Sequence, residues 1–267
     1  MKTAFFQSFE DPSDREASPF RLSTIQEELN KNNLSGYVVP HSDVHQGEYI
    51  AACDERLSWL TGFTGSAGIC FIGKERAGIF VDGRYGIQAK KQTKSPFEVI
   101  HWNKKNILQW IKKNIVRGKI GFDPWLHSYT ELVTLRDAFA NSGISFTPSI
   151  NLIDRVWLDR PTKVSKQAIS YPVKLAGLSA KDKCQQIAKI IESKEADSAV
   201  ITLPDSIAWL LNLRGNDVVH NPIVHAFLII HNDGNIELYC NNKLISSIIN
   251  GLEGFIKVFS LENFEIS

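Results

Sequence analysis

Histidines and carboxylates are the first groups to weigh for chemistry. They stand in two close pairs, His41 and His45 with Asp43 between them, and His220 and His225 around Asn221-Pro222. A catalytic zinc takes three protein ligands and keeps one position open. His41 and His45 have the spacing of one helical face, but Pro40 and Ser42 weaken a helix there, and no H-E-x-x-H follows. The second pair is predicted on a loop. Two pairs without a third clustered ligand predict no intrinsic metal site.

Nucleophile and phosphate patterns are also incomplete. Gly65-Ser66-Ala67-Gly68 supplies half of a nucleophile elbow without the G-x-S-x-G spacing. Its small residues suit a loop passing closely over a sheet. Gly62 to Ser66 lacks the lysine of a phosphate-binding loop, and Gly215-Asn216 stands alone. The segment Lys90 to Lys119 carries nine basic residues against one acid, Glu98, with Trp102 and Trp110 interleaved. A nucleic-acid patch is one reading of it. Ile107, Leu108, Ile111 and Ile115 nevertheless fall at helical spacing, so the lysines read as a solvated face.

Asp82-Gly83-Arg84-Tyr85 directly follows a strand that reads as buried. Arginine offers a rigid fork of donors suited to a carboxylate or a peptide carbonyl, and a loop at a strand end can present it to a ligand. On local grounds an ion pair between Arg84 and Asp82 or another acid is favoured, with ligand contact as the alternative.

The elements that must position these residues occur twice. In the first copy a helix is predicted from Ser18 as cap and Pro19 as first helical residue, with Leu22, Ile25 and Leu29 on one face. A strand at Tyr37–Val39 follows, then a long polar segment to Ser58, then Trp59-Leu60 and a glycine-rich stretch. Strands at Ile69–Ile72 and Ala77–Val81 form a hairpin around Gly73–Arg76. A short helix to Lys91, a strand at Phe97–Ile100, a helix at Lys104–Ile115 and a strand at Lys119–Asp123 come next. A last helix starts at Ser128, with Glu131 at capping-box spacing.

The second copy has a helix from Ser179 with Ile187, Ile190 and Ile191 facing inward, and a strand at Ala199–Thr202. Asp205 to Gly215 follows, then strands at Ala226–Ile230 and Ile236–Cys240, a helix near Lys243–Ile249, and a strand at Phe255–Phe259. Trp59-Leu60, Phe63 and Gly65 match Trp209-Leu210, Leu213 and Gly215 at identical spacing, and the hairpins correspond at an offset of about 158 residues. The expected organisation is a flexible N-terminus (1–18), a first α/β domain (19–158), a proline-stiffened linker (159–171) and a second domain (172–267). The second copy stops soon after its Phe255–Phe259 strand, which predicts that the chain is cut short within it.

At 267 residues with 43% hydrophobic side chains, the chain can fill two cores. A formal net charge of +1 with 22% charged residues argues against a nucleic-acid partner. No apolar run approaches a bilayer span, and Met1 to Glu10 lacks the apolar region of a secretory signal, so neither membrane nor export is expected. Cys53, Cys70, Cys184 and Cys240 are scattered without a C-x-x-C pair, which predicts reduced core thiols in a cytoplasmic protein.

Several strings then resemble one family. The runs His45 to Ala51 and Trp59 to Gly68, and Val81 to Tyr85 followed by Gln88-Ala89, resemble the first domain of three-domain aminopeptidase P, of the creatinase/prolidase superfamily and peptidase family M24. Arg155 to Pro161 is similar to that family's first interdomain junction. Ser206 to Asp217, Asn221-Pro222 and Ala226-Phe227 resemble its second-domain core. The resemblance implies two tandem creatinase-N-like α/β domains, each a mixed sheet flanked by helices. It implies a parent metalloaminopeptidase that releases the N-terminal residue from peptides with proline second. In that family two Asp, one His and two Glu of a third, pita-bread domain hold two Mn²⁺ or Zn²⁺ ions around a bridging water. None of those ligands maps onto this chain, which is therefore expected to be inactive alone, with no cofactor of its own. The implied partners are a proline-containing peptide, the parent's own catalytic domain and a second copy of the parent in a homodimer. One functional residue carries over: Arg84, as a substrate-binding residue reaching the cleft. A non-enzymatic binding module built from the same two domains is the alternative.

Overall fold

The structure is a computed structural model that describes residues 13–163, 167–241 and 254–265. The predicted helix near Lys243–Ile249 lies outside the described residues. The chain forms two compact units, one of residues up to His41 with Glu55–Arg160, the other of Ser42–Asp54 with the chain from Pro161 onward.

The first unit begins with α1 (Ser18–Lys31), β1 (Gly36–Pro40) and α2 (Arg56–Thr61). Pro19 lies in the first turn of α1, where its missing N–H costs nothing. Ser18 is the first helical residue rather than the cap, because its hydroxyl donates to Arg15 O at 2.7 Å. The chain ahead of α1 is tied back on this unit, with Ser13 Oγ donating to Gly62 O at 2.6 Å and Arg15 Nη1 to Lys91 O at 2.7 Å. Then come β2 (Gly68–Gly73), β3 (Ala77–Val81), α3 (Gly86–Gln92), β4 (Phe97–His101), α4 (Lys104–Asn114), β5 (Gly118–Phe122), α5 (Tyr129–Phe139), β6 (Ile144–Pro148) and α6 (Leu152–Val156).

The six strands make one mixed sheet in the order β4-β3-β2-β1-β5-β6. Side chains alternate between its faces. Tyr37 and Val39 of β1 face one way, with Cys70, Ile72, Ile79 and Val81, onto α1, α2 and α6 through Leu22, Ile25, Leu57, Leu60 and Leu152. Val38 faces the other way, with Phe71 and Phe80, onto α4 and α5 through Ile107, Ile111 and Phe139. The lysines of α4 are exposed while Ile107, Trp110 and Ile111 are buried, and Trp110 Nε1 donates to Glu98 Oε2 at 3.3 Å. The basic segment is thus a helix showing its cations to water.

The second unit contains β7 (Ile169–Ser170), α7 (Val173–Ala176), α8 (Ala180–Ser193), β8 (Ser198–Ile201), α9 (Pro204–Leu211), β9 (Leu213–Arg214), β10 (Ala226–His231), β11 (Ile236–Cys240) and β12 (Ile256–Ser260). Its main sheet runs β12-β11-β10-β8, and β7 pairs with β9 in a separate ribbon. Cys184, Ile191, Ile207 and Leu210 of α8 and α9 pack on Leu228, Ile230 and Leu238. Ile187 is partly buried there, but Ile190, expected to face inward, is 55% exposed. Successive helical residues diverge by about 100°, so Ile190 and Ile191 cannot share the packed stripe at full depth.

The duplication extends to register and side-chain devices. In both sheets the matching strands pair antiparallel, antiparallel and then parallel: β1-β2-β3-β4 and β8-β10-β11-β12. The second helix of each copy ends on a left-handed residue, Gly62 at φ 80° and Asn212 at φ 52°. A Cβ on Gly65 would stand 2.2 Å from Phe63, and one on Gly215 2.5 Å from Ile223 O, so both tight passages exclude side chains. Arg21 of α1 donates to Trp59 O at 2.7 Å and lies 4.9 Å over its ring, while Lys183 of α8 donates to Trp209 O and lies 4.6 Å over that ring. One position differs sharply. Val38 pairs with Phe71 and is 2% exposed; Val200, in the same register opposite Ile229, is 58% exposed. Among the described residues, the second unit has no counterpart of the β5 strand that flanks β1.

Candidate functional site

The antiparallel register Gly68↔Val81 places the loop before β2 and the loop after β3 at one end of the first unit's sheet. His101, opposite Val81, closes the end of β4 there and is exposed. Asp82 accepts from Arg84 N at 2.9 Å, capping the single turn Gly83–Tyr85. The same carboxylate holds the guanidinium, Nε to Oδ2 at 3.0 Å and Nη2 to Oδ2 at 2.6 Å. The hydrogen bonds and charge of Arg84 hold the Asp82 carboxyl below its usual range, against an opposing effect of burial. Arg84 is nevertheless 71% exposed in its side chain. The structure therefore has the locally favoured ion pair, and it presents the paired arginine to solvent.

Tyr85 is fixed beside it. Its ring meets buried Phe63 edge-on at 5.6 Å, Gly65 leaves room for it, and Arg84 lies 5.3 Å over its face. Its hydroxyl is 2.7 Å from Ser66 Oγ. The loop carrying Ser66 is held by buried Gln92, which donates to Thr64 Oγ1 at 2.8 Å and accepts from Thr64 N at 3.0 Å. Ser66, read from sequence only as a small loop residue, is thus part of a polar group formed across a sheet end. Its spacing from Tyr85 in sequence gives no sign of this.

The histidine pairs are rearranged. His41 lies in the first unit, its Nδ1 3.8 Å from Glu55 Oε2, and His220 is exposed with a left-handed backbone at φ 61°. His45 and His225 instead come together in the second unit, rings stacked at 4.8 Å, with Phe227 4.6 Å from His45. Asp43 turns the chain by accepting from His45 N at 2.9 Å and Gly47 N at 3.1 Å, and its Oδ2 lies 3.7 Å from His225 Nε2. His45 Nδ1 meets Thr202 O at 3.1 Å, and Asp217 accepts from His225 N at 2.7 Å. All four side chains are buried. Burial lowers both imidazoles, His225 to about 3, and raises Asp217. Among the described residues no group of three or more His, Cys, Asp or Glu side chains is arranged to hold a metal ion. Cys53, Cys70, Cys184 and Cys240 are buried, and among the described residues no helix is long and apolar enough to cross a membrane.

Residues 21–156 match the family described as the creatinase/prolidase N-terminal domain, and residues 159–265 match a second family of the same description. The chain belongs to the creatinase/prolidase N-terminal domain family. This agrees with the two mixed-sheet units and with the resemblance read from Trp59 to Gly68 and Ser206 to Asp217. Similar sequences include a probable Xaa-Pro aminopeptidase P of Paracoccidioides lutzii, 35% identical over 85% of this chain and 38% of that protein. Aminopeptidase P1 of Lotus japonicus is 33% identical over 88% of this chain and 36% of that protein. The creatinase-type chain thus spans little more than a third of these relatives. In fold it is similar to the X-prolyl aminopeptidase of Caenorhabditis elegans, described as a cytosolic enzyme with a di-nuclear active site. The TM-score is 0.84 at 24% identity, over 92% of this chain and 43% of that one.

Proposed function

We propose that this chain is the N-terminal region of a cytoplasmic, metal-dependent Xaa-Pro aminopeptidase, and that it binds peptide and shapes the substrate cleft without carrying out hydrolysis. The observation that carries the reading is the tandem of two creatinase/prolidase N-terminal domains, matched in order by relatives named aminopeptidase P. The di-metal centre, with Mn²⁺ or Zn²⁺, is assigned to a further domain of the parent protein, a reading supported by the chain's spanning only 38% and 36% of relatives named aminopeptidase P. Parent assembly as a homodimer belongs to the same proposal.

Arg84 is the residue we assign to substrate. It sits at a sheet end, on a turn pinned by Asp82, with its side chain in solvent. A guanidinium held by the Asp82 carboxylate has its direction constrained before ligand arrives, which limits the entropy lost on binding. Its role is to meet a carbonyl or carboxylate of an extended peptide and orient it.

The test is an assay of Arg-Pro-Pro with Mn²⁺, on this chain and on the parent polypeptide. Turnover by the parent alone is expected; robust turnover by the isolated chain would overturn the assignment of chemistry to another domain.

A further inference from the structure

Among the polar groups at the sheet end, the hydroxyl pair Ser66–Tyr85 is built rather than incidental. A tyrosine on a surface turn ordinarily keeps its rotamer freedom, and ordering it has a cost. Here three contacts remove that freedom: Phe63 against the ring edge, Gly65 beneath it and Arg84 over its face. The loop ahead of Ser66 is anchored, because Thr64 is fixed through both its backbone N–H and its hydroxyl by Gln92, and Gln88 adds a contact to Thr64 Oγ1 at 3.2 Å. Yet Ser66 is exposed and Tyr85 only half-buried, so little core burial is gained by this order.

Two hydroxyls carry two protons, and the bond between them uses one. The pair keeps one O–H donor and several acceptor lone pairs. Arg84 stands next in the chain, with its guanidinium over the same ring. A peptide bond preceding proline has a carbonyl but no N–H, so only acceptor groups are available along that stretch of main chain. Donors from a hydroxyl pair and a guanidinium, set side by side, suit two carbonyls of such a peptide. Ile87, in the first turn of α3, is 76% exposed and offers an apolar side chain on the same connection.

We propose that Ser66 and Tyr85 form a second substrate-binding element beside Arg84, donating to a main-chain carbonyl of a proline-containing peptide and setting its register. The proposal rests on the reading of Arg84 as a peptide contact. Both residues are assigned to binding and not to the bond-breaking step.

The experiment compares Tyr85→Phe, Ser66→Ala and Arg84→Ala in the full-length parent enzyme with Arg-Pro-Pro as substrate. Tyr85→Phe keeps the ring packing and removes only the hydroxyl, and Ser66→Ala removes an exposed one. The expected result is a KM raised about three- to ten-fold in either variant, the range for one lost neutral hydrogen bond, with kcat and melting temperature unchanged. The double variant should be no worse than the poorer single one by more than about two-fold, since the two hydroxyls act as a unit. Unchanged KM in both variants while Arg84→Ala is impaired overturns the proposal and leaves the reading of Arg84 standing. A lowered melting temperature with unchanged KM makes the pair a loop staple and also overturns it. Unaffected kinetics in all three variants removes the underlying reading as well.

Discussion

Arg84 and Asp82 form a closed local ring: the carboxylate accepts from the Arg84 backbone N–H at 2.9 Å and from its Nη2 at 2.6 Å. The pair is solvent-exposed, so its contribution to stability is small. Its consequence is directional. Asp82 fixes where the guanidinium points while leaving 71% of that side chain exposed.

Asp82→Asn keeps the capping oxygen but removes the charge that steers Arg84. The expected outcome in the parent enzyme is a raised KM for Arg-Pro-Pro, with a melting temperature within about a degree of wild type. Because Arg84 holds the Asp82 carboxyl below its ordinary value, the ring is intact above that ordinary range and opens as pH falls through the lowered value. A KM that rises toward acid in wild type but not in Asp82→Asn would be the matching pH signature.

A second ion pair has the opposite character. Arg56 is 4% exposed and meets Asp154 in two bonds, Nε–Oδ1 at 2.7 Å and Nη2–Oδ2 at 3.1 Å, and Arg160 Nη1 adds a contact to Asp154 Oδ2 at 2.7 Å. Removing the acid takes two hydrogen bonds and a neighbouring charge from a buried guanidinium. Asp154→Ala is expected to destabilise the first unit by about 3 kcal/mol, the usual scale for breaking a buried pair from one side. Urea unfolding followed by tryptophan fluorescence checks this.

Acid lability is predicted for the second unit. His45 and His225 stay neutral in the fold because burial opposes their charge, with His225 lowered to about 3. Once unfolded, each returns to an ordinary imidazole value near 6.5 and takes up a proton. The unfolded state then binds more protons, so stability falls with pH below about 6.5, by at most about 1.4 kcal/mol per pH unit for each histidine, until the folded values are reached. The groups facing His225 include Asp43, Asp54, Lys163 and His45, with Lys163 opposing its protonation and Asp54 favouring it. Asp217, raised by burial, runs the other way: what it contributes is lost as pH rises through its folded value, so it partly offsets the loss at the acid end. His225→Phe, next to Phe227, should flatten the fall in chemically measured unfolding free energy between pH 6.5 and 5. An unchanged pH slope in that variant would contradict the assignment.

The duplicated core was legible from local chemistry. Trp59 to Gly65 and Trp209 to Gly215 repeat because each copy needs a left-handed helix end and a passage too tight for a side chain. Hairpin and strand positions follow from period-two patterning, and the Ser128–Glu131 capping box forms as its spacing indicates. Contacts between distant segments were not legible. Ser66 meets Tyr85 because the β2–β3 register brings their loops together, and His45 meets His225 because Ser42–Asp54 belongs to the second unit, a placement that the helical spacing of His41 and His45 does not reveal. Ile190 was misread because an apolar side chain next to a packed stripe carries no mark of its outward rotation.

The most direct measurement is kcat/KM for Arg-Pro-Pro in the parent enzyme carrying Arg84→Ala, with the melting temperature measured on the same preparation. Loss of charge-assisted hydrogen bonds worth about 1.5–3 kcal/mol predicts a fall of about 10- to 150-fold in kcat/KM with folding intact. Unchanged kcat/KM, with or without a lower melting temperature, would contradict a role for this chain's Arg84 in binding peptide.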